Sequence, residues 1–199
     1  MKVVLFGDSL TFGYGVWPKD NLESLLKAAC PSWDIINSGV NGDTTREAVE
    51  RFATDVLAHQ PDLVTFLFGS NDSAMGEGPY RTLTEFVLHY QKMFDTLKQE
   101  YPQCQILLIT PPPVDETVFM PWNYNDRIVP YAEACRTLSK DYHTLLADFH
   151  TALCHLAGTG LKQLEIYVQE DGCHLSESGY LVLRDCILEA CKKGGLLPT

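Results

Sequence analysis

Five short apolar runs, separated by amphipathic helical patterns, restrict this chain to very few folds. Residues 3–6, 34–37, 63–68, 106–110 and 144–148 are mostly continuous rather than alternating in polarity. Strands covered by helices on both faces have this character. Between the runs, apolar residues recur at helical spacing. Thr44-x-x-Glu47 is a capping box, followed by Ala48, Val49, Phe52, Ala53, Val56 and Leu57 on one face. Thr82-x-x-Glu85 repeats the device ahead of Phe86, Val87, Tyr90, Phe94 and Leu97. Further helices are expected over residues 22–29 and 128–140. A last one starts near Ser176, turns Tyr180, Leu183, Ile187 and Cys191 inward, and stops at Gly194-Gly195. Strands alternating with helices predict an α/β fold, with a parallel sheet between two helical layers and right-handed crossovers. No repeat, low-complexity tract or linker interrupts the 199 residues, so one domain spanning 1–199 is expected.

Composition narrows the function. With 45 % apolar residues the chain can bury a core, and disorder is excluded as its main state. The formal charge of −11 argues against nucleic acid and against an anionic membrane surface, both of which require clustered Lys and Arg. No apolar run approaches the roughly 20 residues of a membrane span, and residues 1–6 are too short for a signal peptide's apolar region. The seven cysteines are odd in number, contain no Cys-x-x-Cys and fall mostly in apolar patterns. Reduced core thiols in a cytoplasmic protein explain them; Cys173 is read as a bystander between Asp171 and His174. The six histidines show no metal-ligand spacing. Residues 7–15 contain neither a dinucleotide fingerprint nor a phosphate loop. No metal and no cofactor are expected, and the sequence leaves the oligomeric state open.

Sites in open parallel sheets form at the carboxyl ends of the strands. Ser9 follows the first apolar run, in Gly7-Asp8-Ser9-Leu10. Gly39 follows the second and Asn71 the third. Asp171 and His174 lie on a polar turn ahead of the last helix. A serine hydroxyl becomes a nucleophile only when a base takes its proton and an acid orients that base. Here Ser9 is the candidate nucleophile, His174 the base and Asp171 its orienter. The backbone N–H groups of Ser9 and Gly39 and the Asn71 amide are the candidate oxyanion donors. Each motif alone is a common turn; their order and shared strand-end placement make the joint reading specific. The Gly-x-Ser-x-Gly elbow is absent, because Thr11 stands where its second glycine belongs. Two loops stand out, 73–81 and 111–127. The second holds three prolines, then Phe119, Met120, Trp122 and Tyr124. Substrate contacts are expected from Asp8, Pro111, Trp122 and Tyr124.

The chain resembles the GDSL-type esterases of the SGNH hydrolase superfamily, named for a Ser, a Gly, an Asn and a His in four separated blocks. Gly7–Leu10 reproduces the first block literally. Gly39 is matched to the second, Gly69–Asp72 to the third and Asp171–His174 to the last; Leu175 stands where many members have proline. The resemblance implies a flavodoxin-like three-layer α/β/α sandwich with a five-stranded parallel sheet. It also implies a small-molecule ester as the partner and an acyl-enzyme intermediate on Ser9. Residues 109–116 are similar to the same stretch in isoamyl-acetate-type esterases, which favours compact acyl or aryl esters. The alternatives are an O-acetyl esterase acting on carbohydrate, with Trp122, Tyr124 and Asn125 in its cleft, a thioesterase or lysophospholipase, and a catalytically silent binding scaffold.

Overall fold

The computed structural model describes residues 1–75, 80–118 and 124–197. Its five strands are β1 (Lys2–Gly7), β2 (Asp34–Gly39), β3 (Leu63–Leu67), β4 (Gln105–Ile109) and β5 (Leu145–Ala147). All pair in parallel, in the order β2-β1-β3-β4-β5. The helices are α1 (Ser9–Phe12), α2 (Leu22–Ala29), α3 (Thr45–Asp55), α4 (Leu83–Glu100), α5 (Asn125–Tyr142), α6 (Phe149–Ala157) and α7 (Glu177–Lys193).

Side chains alternate across a strand, and here each alternate set meets its own helical layer. Val3, Leu5, Leu63, Leu67, Leu107 and Ile109 pack with residues of α2, α6 and α7. Val4, Phe6, Val64, Phe66, Ile106 and Leu108 pack with residues of α3, α4 and α5. The result is a three-layer α/β/α sandwich with a core on each side of the sheet.

Both capping boxes form. Thr44 accepts from the Arg46 N–H and Thr82 from the Glu85 N–H, while Glu47 and Glu85 reach back to the capping backbone. Gly194 caps α7, as its position after the last apolar residue suggests. Two elements differ from expectation. Helix α5 begins at Asn125 rather than residue 128, with Pro130 inside it. Helix α6 is an addition: Asp148 caps it by accepting from the Thr151 N–H, and Phe149, Leu153 and Ala157 face the core. The strand–cap–helix sequence there is compact enough to read as one run. No helix among the described residues is long and apolar enough to cross a membrane.

The register fixes the rim. Gly7 pairs with Gly39 on one side and with Leu67 on the other, so three strands end level. The strand order reverses around β1, and such a switch point opens a crevice at the carboxyl edge. Ser9, the 40–43 turn and Asn71 all emerge beside it.

Phe66 lies at the centre of the α3–α5 core, fully buried, with its ring 5.8 Å from Phe6, 6.0 Å from Tyr90 and 5.1 Å from Phe94. Phe66→Ala is expected to cost about 3–5 kcal/mol of stability, read from the urea midpoint at constant m-value.

Candidate active site

Ser9 opens α1, a four-residue helix that turns the chain sharply at the end of β1. The Asp8 side chain caps it by accepting from the Leu10 N–H at 2.9 Å, and Gly13 ends it in the left-handed region. The short helix lifts the Ser9 hydroxyl to the rim. As a first-turn residue, Ser9 also has an N–H with no intrahelical acceptor.

Asp171 and His174 stand on a turn closed by a bridge between Val168 and Leu175. Asp171 Oδ1 accepts from the backbone N–H groups of Cys173 and His174, both at 3.0 Å. Its Oδ2 lies 2.6 Å from His174 Nδ1, and His174 Nε2 lies 3.0 Å from Ser9 Oγ. Burial pushes the Asp171 carboxyl up, but the hydrogen bonds from Cys173 and His174 outweigh it and leave the group below the usual range. Asp171 is therefore anionic at neutral pH and suited to hold an imidazole N–H. Gln169 ties this turn to the start of the chain: its Nε2 donates to the Tyr14 and Leu175 carbonyls, each at 2.8 Å. The Tyr14 ring rests on the His174 ring, with centroids 4.3 Å apart.

Asn71 Nδ2 donates to the Asp43 carbonyl at 2.9 Å. A carboxamide has two N–H bonds, so one fixes the side chain and the other has no partner among the described residues. Next to it, the buried Asp72 accepts from the Thr45 N–H and hydroxyl, which docks the third-strand turn onto the start of α3.

Gly39 departs from expectation. Its N–H donates to Asn37 Oδ1 at 2.9 Å and is not offered to a ligand. A Cβ there would lie 2.2 Å from the Phe12 nitrogen. Glycine is needed at this position so that the α1 backbone can approach β2. The open glycine on this rim is Gly42. It has φ of +83°, nothing near its Cβ direction, and no described acceptor for its N–H. It adjoins Asp43, whose carbonyl holds Asn71. Two glycines in Gly39-Val40-Asn41-Gly42 fit one pattern equally well, and only the hydrogen bonds separate them.

The Arg51 guanidinium, which the sequence did not single out, braces the rim. It donates to the Gly7 and Ser38 carbonyls at 2.9 and 2.8 Å, to Asp43 at 2.6 Å and to Asp55 at 3.0 Å. It also lies over the Phe6 ring. One side chain thus joins the end of β1, the end of β2 and the turn that meets Asn71.

The structure describes three of the four other expected contacts. Asp8 is 1 % exposed and works as a cap, so it does not face a ligand. Pro111 is buried, close to Gly69. Tyr124 is 40 % exposed at the start of α5, whereas Asn125 is clamped to both backbone groups of Val114. Trp122 lies outside the described residues.

Residues 5–182 match the GDSL-like lipase/acylhydrolase family. The chain is 29 % identical to a GDSL esterase/lipase of Arabidopsis thaliana, over 98 % of this chain and 87 % of that protein. It is 31 % identical to the Bos taurus isoamyl acetate-hydrolyzing esterase 1 homolog, over 89 % and 76 %. Among solved structures, the lipase/acylhydrolase from Enterococcus faecalis superposes with a TM-score of 0.81 at 28 % identity, covering 96 % of this chain and 95 % of that one. An acetyl-xylooligosaccharide esterase from Geobacillus shares the fold, with a TM-score of 0.77 at 22 % identity over 95 % and 93 %.

Asp8 gives folding a pH dependence. Burial, and then the nearby Asp72 and Asp43 charges, outweigh the Leu10 N–H and push its carboxyl from 3.8 up to about 7. The folded chain then holds this proton more tightly than the unfolded chain. Its contribution to stability is full below pH 3.8 and is lost as pH rises to about 7. Asp8→Asn stays neutral and keeps an oxygen for Leu10. The urea midpoint of the wild type is expected to fall relative to the variant between pH 5 and pH 8; parallel trends would contradict the assignment.

Proposed function

The chain belongs to the GDSL-like lipase/acylhydrolase family and is a carboxylic ester hydrolase, and from that premise we propose that Ser9, His174 and Asp171 form its catalytic triad, acting on compact acyl or aryl esters. The observation that supports this most is the unbroken relay from Ser9 Oγ to His174 Nε2 at 3.0 Å and from His174 Nδ1 to Asp171 at 2.6 Å.

In this reading His174 takes the Ser9 proton as Oγ attacks the ester carbonyl, and Asp171 stabilises the imidazolium. The tetrahedral oxyanion is held by the Ser9 N–H, the second Asn71 N–H and the Gly42 N–H, with Gly42 replacing Gly39 in that role. His174 returns the proton to the departing alcohol and then activates water to release the acyl group from Ser9. Arg51 keeps the Gly42–Asp43 turn and the end of β1 in fixed relation, so the donors need not reorganise during reaction. Tyr14, whose ring rests on His174, is 45 % exposed; it offers a small apolar surface that suits short acyl or aryl groups. The charge of −11 and the absence of a membrane-spanning helix among the described residues fit a cytoplasmic enzyme without nucleic-acid partners, built as a single domain over 1–199.

A second reading rests on Trp17, which is 71 % exposed three residues from Tyr14. Exposed aromatic faces suit sugar rings, so a carbohydrate O-acetyl ester is the competing substrate class. A p-nitrophenyl series from acetate to palmitate, run beside acetylated xylo-oligosaccharide and a thioester, separates the two. The expected result is highest kcat/KM at short acyl length and weak turnover of the sugar ester; the reverse order would favour the second reading.

Ser9→Ala is expected to abolish turnover while leaving the circular dichroism unchanged. Asn71→Ala is expected to lower kcat by about 10²–10³, whereas an effect on KM alone would make Asn71 a substrate-positioning group.

A further inference from the structure

Cys173 sits inside the turn that carries Asp171 and His174, and the relay makes no use of its thiol. Its Sγ lies 3.4 Å from His174 Nδ1, on the nitrogen that faces Asp171. Donor atoms from Asp171, Cys173 and His174 all fall within 4.8 Å of one another, the one such set of three among the described residues. The side chains of His174 and Asp171 are 23 % and 40 % exposed, so solutes reach them. The turn is rigid: Asp171 Oδ1 takes two backbone N–H groups, the Gln169 N–H donates to the His174 carbonyl at 2.7 Å, and the Asp115 N–H donates to the Gly172 carbonyl at 2.8 Å.

We propose that Asp171, Cys173 and His174 form a zinc site whose occupation silences Ser9. Thiolate, imidazole and carboxylate are the ligand types that Zn²⁺ takes, and three protein ligands leave a fourth position for water. Zn–S and Zn–N bonds of about 2.3 and 2.0 Å at a tetrahedral angle set sulfur and nitrogen about 3.5 Å apart, close to the 3.4 Å found. The 2.6 Å contact between Nδ1 and Asp171 must open, since Zn–N and Zn–O bonds hold their ligand atoms near 3.4 Å.

Occupation is incompatible with the relay for a tautomeric reason. Zinc binds the Nδ1 lone pair, so the proton on that nitrogen moves to Nε2. The thiol proton leaves to solvent as Sγ becomes a thiolate. An imidazole protonated at Nε2 donates there and cannot accept the Ser9 proton. Asp171 is drawn to the metal and no longer orients the ring. This silencing rests on the triad reading above, whereas the binding does not. Cys154 and His150 form a comparable pair, with sulfur and nitrogen 3.6 Å apart, but no third ligand joins them among the described residues, and they serve as the internal control.

Calorimetric titration of the full chain with Zn²⁺ tests the site. One bound ion per chain is expected, at least tenfold weaker in Cys173→Ser and Cys173→Ala and unchanged in Cys154→Ala. With Co²⁺, a thiolate-to-metal absorption band is expected in the wild type and in Cys154→Ala and is expected to vanish in Cys173→Ser. Hydrolysis of p-nitrophenyl acetate is expected to fall as the site fills, to recover with EDTA, and in Cys173→Ala, measured against that variant's own zinc-free rate, to need at least tenfold more zinc for the same fractional loss. Unchanged zinc affinity in folded Cys173 variants overturns the site. Should those variants fail to fold, lack of a thiolate band in Cys154→Ala overturns it alone. Zinc bound through Cys173 with turnover untouched overturns the silencing and the placement of His174 as base, while the site itself stands.

Discussion

The register of β1 between β2 and β3 governs the rest of the molecule. Gly7, Gly39 and Leu67 end level, and the chain leaves the sheet in different directions from each strand. A one-residue slip of β1 would exchange the Val3/Leu5 set with the Val4/Phe6 set and put both into the wrong core. It would also turn Ser9 away from His174. The same apolar contacts that stabilise the sandwich therefore set the geometry of the rim.

Polar groups on this edge are held by long-range bonds rather than by local turns. Arg51 joins two strand ends to the Asp43 turn, Asn71 reaches Asp43, and Asp72 reaches Thr45. Beneath them Asp8 and Asp72 are buried, each with one carboxylate oxygen lacking a described partner. Burial raises both groups, Asp8 to about 7 and Asp72 to about 6, with hydrogen bonds from Thr45 moderating the second. A proton on such a group offsets the cost of burying an acid beneath the Ser9 turn, and it connects the state of the rim to pH.

How much of this was legible depends on the range of the interactions. Strand runs, capping boxes and the glycine stop after α7 are local, and each is written in a few consecutive residues. The family membership was legible because four short blocks keep their order along the chain. Gly39 shows the limit. From sequence it is a strand-end glycine like Gly42, and the difference lies in Asn37 Oδ1 taking its N–H and in Phe12 packing against it. Asp8 likewise reads as a polar neighbour of Ser9, but its exposure of 1 % follows from packing against distant segments. Arg51 carries no motif at all, since its partners span residues 7 to 55. Helix α6 is a different kind of omission: its cap and apolar spacing are local, and the short strand ahead of it masks its start.

Gln169 bridges to the Tyr14 carbonyl across 155 positions, and His174 meets Ser9 across 165. During ribosomal synthesis, Ser9 therefore emerges long before the imidazole it faces. With the triad proposed above, a nascent chain holds its hydroxyl without a base until residue 174 has cleared the exit tunnel, and a polypeptide abandoned midway through translation would be inert towards the esters of its surroundings.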